Sequence, residues 1–209
     1  TSPEAADKFF TIVKDQISNQ APIASGGNDK RSLLEQFALR NAGDAQQGKR
    51  LFFDDERTRC SACHQVEKVG GKVGPDLSKI GGKFDRPHLI ESLLLPSAQI
   101  VEGYRTSLIL TDDDAAHSGI VTSESNQDLK LMDANGKPHV ISKDEITARK
   151  EAEVSLMPAG LADLLSEAEF ADLIAFLESL RSGQSKFGSG IRGPVQLPDG
   201  FRITTIATG

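Results

Sequence analysis

The hydrophobic and polar positions of this 209-residue chain change their spacing several times, and each spacing predicts a different kind of element. After Ser166, apolar residues recur every three or four positions, which is typical of one buried face of an α-helix. These residues are Phe170, Leu173, Ile174, Leu177 and Leu180. Ser166 and Glu169 have the spacing of a capping box at the start of this helix, and Gly183 is expected to end it.

Further helices are predicted upstream. Asp44 is a suitable N-cap for a helix that runs as far as Phe53. Gly48 lies inside this helix, where glycine costs about 1 kcal/mol relative to alanine. Such a glycine is explained if another helix crosses closely at that point. The other segments with helical spacing are residues 3–19, 29–40 and 86–95, and the last of these stops before Pro96.

Between Pro96 and Met157 the pattern becomes an alternation of apolar and polar residues, which predicts short β-strands. Asn135 and Gly136 form a dipeptide that is a strong signal for a β-hairpin. The sequence therefore predicts a small antiparallel insert of about four strands over residues 104–153. The predicted strands are residues 104–111, 117–121, 128–132 and 138–141.

Composition and charge narrow the class of protein. Apolar residues make up 38% and charged residues 26% of the chain, so a packed core is expected. The net charge of −6 argues against a general nucleic-acid binder. We expect no transmembrane segment, because no apolar run approaches the ~18–20 residues that span a bilayer. Residues 1–10 do not resemble a signal peptide, so we expect the sequence to begin after a cleaved signal or at a cut inside a longer protein.

The candidate chemistry lies in one short segment. Cys60 and Cys63 are the only two cysteines, and they are too close together to close a useful disulfide loop. A CxxC pair alone could be a redox dithiol or half of a zinc site, but there is no second cysteine pair for zinc. A thioredoxin-like dithiol should open a long helix, whereas residues 70–75 are rich in glycine and end in proline. Because His64 follows directly, the five residues form the haem-attachment sequence of c-type cytochromes.

This spacing suits haem because two thiols on one helical turn can reach its two vinyl groups and form thioethers. His64 is then the expected axial ligand of the iron. Met157, which precedes a proline in a predicted loop, is the expected second axial ligand, with bis-histidine ligation or an open site as alternatives. The remaining candidates are more typical of surface or packing positions: Met132, His88, His117 and His139. A His/Met ligand pair raises the reduction potential and favours electron transfer.

The order of motifs resembles a class I c-type cytochrome, and more specifically the planctomycete and verrucomicrobial (Pirellula-type) haem-binding domains. The motifs are residues 48–52, the CxxCH pentapeptide, residues 74–77, residues 157–160 and residues 172–177. The resemblance implies a mainly α, class I cytochrome c fold, in which crossing N- and C-terminal helices meet at Gly48, Phe52, Leu173 and Phe176. It also implies that the Pro75 carbonyl accepts a hydrogen bond from His64.

The resemblance predicts three parts: an N-terminal helical extension (1–41), a cytochrome c domain (42–182) with the β insert, and a linker with a C-terminal strand (183–209). That strand is either an ordinary one or the start of a following β-propeller. The implied function is one-electron transfer through one covalent haem c, without enzyme activity of its own. A fused or partner sugar or alcohol dehydrogenase would be the donor, and the protein would be periplasmic or otherwise exported. The alternative is a haem enzyme or gas sensor with a displaceable sixth ligand.

Overall fold

The computed structural model describes residues 27–181, together with Asp7, Phe9 and Thr11. Within them, the helices are α1 (Gly27–Arg40), α2 (Ala45–Asp54), the short α3 (Cys60–Cys63), α4 (Arg86–Leu94) and α5 (Glu167–Ser179). The strands are β1 (Gln65–Val66), β2 (Val69–Gly70), β3 (Thr106–Thr111), β4 (Ala116–Glu124), β5 (Asp128–Met132), β6 (Pro138–Ser142) and β7 (Ile146–Glu151). Short 3-10 helices cover Ile80–Gly82, Lys143–Glu145 and Leu161–Leu164.

The helices begin at the capping residues that the sequence predicts. The Asp44 carboxylate accepts the first free amide hydrogens of α2, from Gln46 and Gln47. At the start of α5, the side chains and amides of Ser166 and Glu169 form both bonds of a capping box. These bonds satisfy amide groups that would otherwise lack an intrahelical partner. The helices predicted over residues 29–40 and 86–95 are also confirmed, although α1 begins two residues earlier, at Gly27.

Helices α2 and α5 approach each other closely at Gly48. A Cβ atom on Gly48 would lie 1.9 Å from the Asp172 carbonyl oxygen and 2.8 Å from the Phe176 Cβ. Beside this point the rings of Phe52 and Phe176 pack with their centroids 5.5 Å apart, and both side chains are buried. The Asp172 carboxylate also accepts the backbone amide hydrogen of Asp44 at 2.6 Å. The close helix contact predicted from Gly48 is therefore present, and only glycine fits it.

Arg86, at the start of α4, fastens α1 to α5. Its Nε donates to the carbonyl oxygen of Ala38 at 2.7 Å, and its Nη2 donates to those of Asn41 and Ala42 at 2.6 and 3.2 Å. Its Nη1 pairs with the carboxylate of Glu178 on α5. One guanidinium thus satisfies a carbonyl in the last turn of α1 and two carbonyls just after it, and it neutralises Glu178 at the same time.

The larger sheet is antiparallel, with strand order β6-β5-β4-β3-β7. All six residues of β3 are buried, because β3 has a strand on each side and cover on both faces. One face forms a hydrophobic core of its own, made of Ile109, Leu129, Leu131 and Ile141. The Asn135-Gly136 pair lies in the hairpin connection between β5 and β6, as predicted; this connection covers residues 133–137, and Gly136 has φ +77°.

The predicted fold class is wrong. Among the described residues 39% are helical and 22% lie in strands, so the fold is mixed rather than a mainly α, class I cytochrome c fold. The sheet has five strands instead of about four, because residues 146–151 form β7 against β3. A second sheet, β1–β2, directly follows the cysteine motif. Strands β3–β7 all lie within the predicted segment 104–153, and the large sheet has a core separate from that of the helices.

Two predicted segments lie wholly or largely outside the described residues. The helix expected over residues 3–19 is described only at Asp7, Phe9 and Thr11, each of which is helical. The predicted linker and strand over residues 183–209 lie outside the described residues. In the part of the chain that is described, no helix has both the length and the apolar character needed to cross a membrane.

Candidate functional site

The three residues of the predicted attachment motif stand together on and beside α3. This helix is a single turn of four residues, with Cys60 first and Cys63 last, and both thiols are unpaired. His64 ends the helix, and its amide donates to the Cys60 carbonyl at 2.9 Å. Arg59, directly before the helix, has a left-handed backbone conformation at φ 47°, which turns the chain sharply into it. All three motif side chains are half-buried.

The segment after the motif, residues 70–77, folds back over α3 and holds it by backbone hydrogen bonds. Gly71 N donates to Ser61 O at 2.8 Å, and Gly74 N donates to Cys63 O at 2.9 Å. The approach at Gly71 is so close that a Cβ atom there would lie 1.9 Å from the Ala62 carbonyl oxygen. The sequence predicts that these glycines break the helix, and it places Gly74 in the 74–77 motif. Their additional role, close contact with the motif backbone, has no clear signal in the sequence beyond their position after CxxCH.

The His64 imidazole is held in one orientation. Its Nδ1 lies 3.0 Å from the Pro75 carbonyl oxygen, as the family resemblance implies. Because a carbonyl can only accept, Nδ1 carries the hydrogen and Nε2 keeps its lone pair. Gly74 lies against the ring, where a Cβ atom would be 2.5 Å from Cε1. Burial lowers the pKa of His64, with a smaller opposing effect of the Pro75 hydrogen bond, so the ring is neutral at pH 7.

The two thiols are not poised for dithiol redox chemistry. Burial raises the pKa of Cys60, and the smaller effect of the Thr58 hydroxyl lowers it. Burial also raises the pKa of Cys63, against the opposing charge of Arg59. Reactive cysteines of dithiol oxidoreductases have lowered pKa values instead. Together with the four-residue length of α3, these directions disfavour the redox-dithiol interpretation.

A zinc site gains no support either. Across residues 27–181 and the three described N-terminal residues, no group of three or more His, Cys, Asp or Glu side chains is arranged to hold a metal ion. Methionine is not one of these four residue types, so a His/Met ligand pair stays a prediction. The half-site formed by Cys60 and Cys63 therefore has no second half among these side chains.

Met157 lies in a loop that we define as residues 152–160 and call the methionine loop. Its side chain is half-buried. The Met157 amide donates to Ser155 Oγ at 3.1 Å, and the Ser155 amide donates to Ser97 Oγ at 3.1 Å. These bonds tie the loop to the turn after α4. They involve the backbone and not the Met157 sulfur, so ligation by Met157 stays a prediction.

Arg57, three residues before Cys60, is a site residue that the sequence reasoning missed. Its Nε donates to both carboxylate oxygens of Asp55 at 3.1 and 3.0 Å. Its Nη1 donates to the Leu164 carbonyl oxygen at 3.1 Å, and its Nη2 donates to Glu169 Oε1 at 2.7 Å. The Arg57 guanidinium, helped by hydrogen bonds from Ser166, lowers the pKa of Glu169 to about 2. The only sequence signal near Arg57 is Asp55 two residues before it, a spacing that is typical of a turn.

The other histidines lie in different surroundings. The His88 ring stacks on Phe84 with centroids 4.1 Å apart. His117 and His139 have ring centroids 5.5 Å apart, and His139 Nε2 is 3.0 Å from an Asp133 carboxylate oxygen. The latter two line a cleft of about 480 Å³ at one end of the sheet, and a second cleft of about 430 Å³ includes Arg105 and Arg149. Neither lining includes a residue of the attachment motif.

The motif residues fit a covalently attached haem c. Two unpaired thiols lie three positions apart on one turn, which is the arrangement needed for two thioethers. The neighbouring imidazole is neutral, is held through Nδ1 and offers Nε2 as a donor, which is how protein histidines bind iron. Cys60 also packs against the hydrophobic core of the helices, so the attachment point borders apolar surroundings.

Comparison with known proteins adds no family. No protein-family model matches the chain, and no curated protein matches it. What the chain does must therefore be inferred from its residues and their geometry.

Proposed function

We propose that this chain is a single-haem c-type cytochrome that transfers one electron at a time and has no catalytic activity of its own. Cys60 and Cys63 would form the two thioether bonds, and His64 and Met157 would be the axial ligands. The orientation of the His64 imidazole is the observation that carries the proposal. Bound at these residues, haem c would supply an iron that changes between ferric and ferrous states by one electron.

The surrounding residues would hold the proximal ligand rather than react. Pro75 accepts the Nδ1 hydrogen of His64, which fixes the tautomer and raises the basicity of Nε2. Gly74 lets the loop lie against the ring, and the bonds from Gly71 and Gly74 to the α3 backbone keep the two cysteines on one turn. Because such a framework keeps the ligand in place in both oxidation states, it suits electron transfer with little rearrangement.

Covalent attachment is tested by producing the chain in an exported form in cells that contain the thioether-forming machinery. We expect haem that stays with the polypeptide on a denaturing gel. The double variant Cys60→Ala, Cys63→Ala should lose it, whereas Ala62→Ser, a change inside the same pentapeptide, should retain it. Wild-type chain without covalent haem would contradict the proposal.

The second ligand is tested separately with the chain's two methionines. Met157→Ala should remove the methionine–iron charge-transfer band of the ferric protein, lower the reduction potential and let carbon monoxide bind the ferrous protein. Met132→Ala is the matched control, because Met132 ends strand β5 and should leave all three measurements unchanged. An unchanged spectrum in Met157→Ala would reject Met157. Rapid carbon monoxide binding to the wild type would favour the alternative, a haem enzyme or gas sensor with a displaceable ligand.

The donor and the location are part of the proposal. Thioethers form outside the cytoplasm, so the protein would be periplasmic or otherwise exported. Its electrons would come from a fused or partner dehydrogenase of the sugar or alcohol type and pass to another carrier. The test mixes haem-loaded chain with such a dehydrogenase and its substrate, and follows haem reduction by stopped-flow absorbance. Reduction no faster than with substrate alone would reject this class of donor.

A further inference from the structure

Arg57 is oriented by its own turn before it reaches any other segment. The Asp55 carboxylate accepts the backbone amide hydrogen of Arg57 at 2.7 Å as well as its side-chain hydrogens. Asp55 O also accepts the amide hydrogen of Arg59 at 3.0 Å, which closes the turn that leads into Cys60. The guanidinium is therefore held in a fixed position relative to the start of the attachment motif.

The remaining donors of this guanidinium reach the far side of the methionine loop. Leu164, whose carbonyl accepts from Nη1, is the last residue of the 3-10 helix that directly follows the loop. Glu169, which accepts from Nη2, also completes the capping box of α5 with Ser166. Gly160 ends the loop in a left-handed conformation, and its carbonyl accepts from the amide of Asp163, so the path from the loop to Leu164 is compact.

We propose that Arg57 is a positioning residue that sets the spacing between the attachment motif and the methionine loop, and thereby keeps Met157 on the iron. This inference rests on the proposed haem site with Met157 as second axial ligand. Arginine suits the task because its planar fork can serve three acceptors on different segments at once, which a lysine ammonium cannot do with the same geometry. A side chain 47% exposed would be an unremarkable surface charge without these three fixed bonds.

The test compares haem-loaded chains that differ at one side chain. Arg57→Gln removes the planar guanidinium and its charge, whereas Arg57→Lys keeps the charge but not the planar group. The control is Arg50→Gln, an exposed arginine on α2 whose only described bond is a 3.5 Å contact to Gln47. The readouts are the methionine–iron charge-transfer band as a function of pH and the rate of carbon monoxide binding to the ferrous protein. Covalent haem content is measured in each variant to show that attachment is unaffected.

We expect Arg57→Gln to speed carbon monoxide binding about tenfold or more, because losing even one of its hydrogen bonds to a charged group has an effect of about this size. The band should disappear at lower pH than in the wild type, and Arg57→Lys should restore it only in part. If Arg57→Gln fails to fold, Glu169→Gln decides, because glutamine keeps the capping box and removes one charged acceptor; a smaller shift in the same direction is expected.

The failure of Met157 as a ligand and the failure of Arg57 as a positioning residue give different results. If Met157→Ala removes the band while Arg57→Gln behaves like Arg50→Gln, the ligand is right and the role of Arg57 is overturned. If Met157→Ala leaves the band in place, the proposed ligand fails and the positioning role fails with it. A loss of thermal stability in Arg57→Gln without a change in band or binding rate would mark Arg57 as merely structural and would also overturn the inference.

Discussion

Gly71→Ala should destabilise the protein, and the size of the effect follows from one contact. The backbone of Gly71 lies outside the left-handed region, so alanine can adopt its conformation without backbone strain. The new Cβ, however, would lie 1.9 Å from the Ala62 carbonyl oxygen, inside the attachment motif. To reach an ordinary contact of 3.4 Å, the two backbone segments must separate by about 1.5 Å. Both sides of this contact are backbone, so no side chain can rotate away to relieve it.

Three contributions to the free energy of unfolding change in this variant, two that destabilise the protein and one that stabilises it. Overpacking of this kind costs about 1–3 kcal/mol. The hydrogen bond from Gly71 N to Ser61 O, 2.8 Å long, would break and cost about 1 kcal/mol more. Alanine in turn stabilises by about 0.4–1 kcal/mol, because it restricts the unfolded chain more than glycine does. The expected net loss is about 1–3 kcal/mol, a large part of the 5–15 kcal/mol that typically stabilises a domain.

Urea unfolding followed by far-UV circular dichroism measures this difference, on chains that carry equal amounts of covalent haem. Lys72→Ala is the control, since Lys72 is the exposed neighbour in the same loop and should change the free energy of unfolding by less than about 0.5 kcal/mol. Gly71→Ala should also reduce the yield of covalent haem, because α3 must shift. A variant as stable as the wild type would show that the loop does not make this close contact with the motif backbone.

Three further changes test the framework around the site. Glu169, whose folded pKa is about 2, contributes stability that is fully present above its ordinary pKa of 4.5 and is lost as the pH falls toward 2. Glu169→Gln should therefore reduce the loss of unfolding free energy between pH 4.5 and 2 by about 1 kcal/mol or less, since Arg57 is half-exposed. Unfolding free energies that change with pH in parallel in the two proteins would contradict this. Arg86→Ala should cost about 2–4 kcal/mol by leaving the acceptors on α1 and α5 unpaired, and an unchanged melting temperature would refute the role of that residue. Gly48→Ala should cost about 2–4 kcal/mol despite a gain of about 1 kcal/mol in helix propensity; a more stable variant in urea would disprove the close contact with Asp172.

Much of the local structure could be predicted from the sequence, because its causes are local. The Asp44 cap and the Ser166–Glu169 capping box depend on residues within three positions of each other. The Asn135-Gly136 turn depends on two adjacent residues. Strand β7 could not be predicted so easily, since its only apolar residues are Ile146 and Ala148. Its pairing with β3 is a long-range contact that no short pattern reveals, and it adds the fifth strand to the large sheet.

The candidate site, like the fold, has parts that the sequence predicts and parts that it does not. Cys60, Cys63 and His64 are adjacent in sequence, so their common placement on one turn follows from the motif alone. The bond from His64 to Pro75 was implied by the resemblance rather than by any spacing rule. Arg57 could not be found, because its partners Leu164 and Glu169 lie more than one hundred residues away in the chain. Contacts of this kind are decided by tertiary packing, for which an exposed arginine in a turn gives no sequence signal.

The sheet also contributes to the framework of the candidate site. Thr106, the fully buried first residue of β3, accepts the amide hydrogen of Ala152 and donates its hydroxyl to the Val154 carbonyl at 3.1 Å, so the methionine loop starts from the sheet. On the other side of the motif, Gly136 at the β5–β6 turn lies against Val73, which is buried in the loop that grips α3. The sheet is therefore in contact with both loops. Strands as well as helices therefore contact the loops that border the proposed iron site, and a mainly α interpretation does not include this contribution.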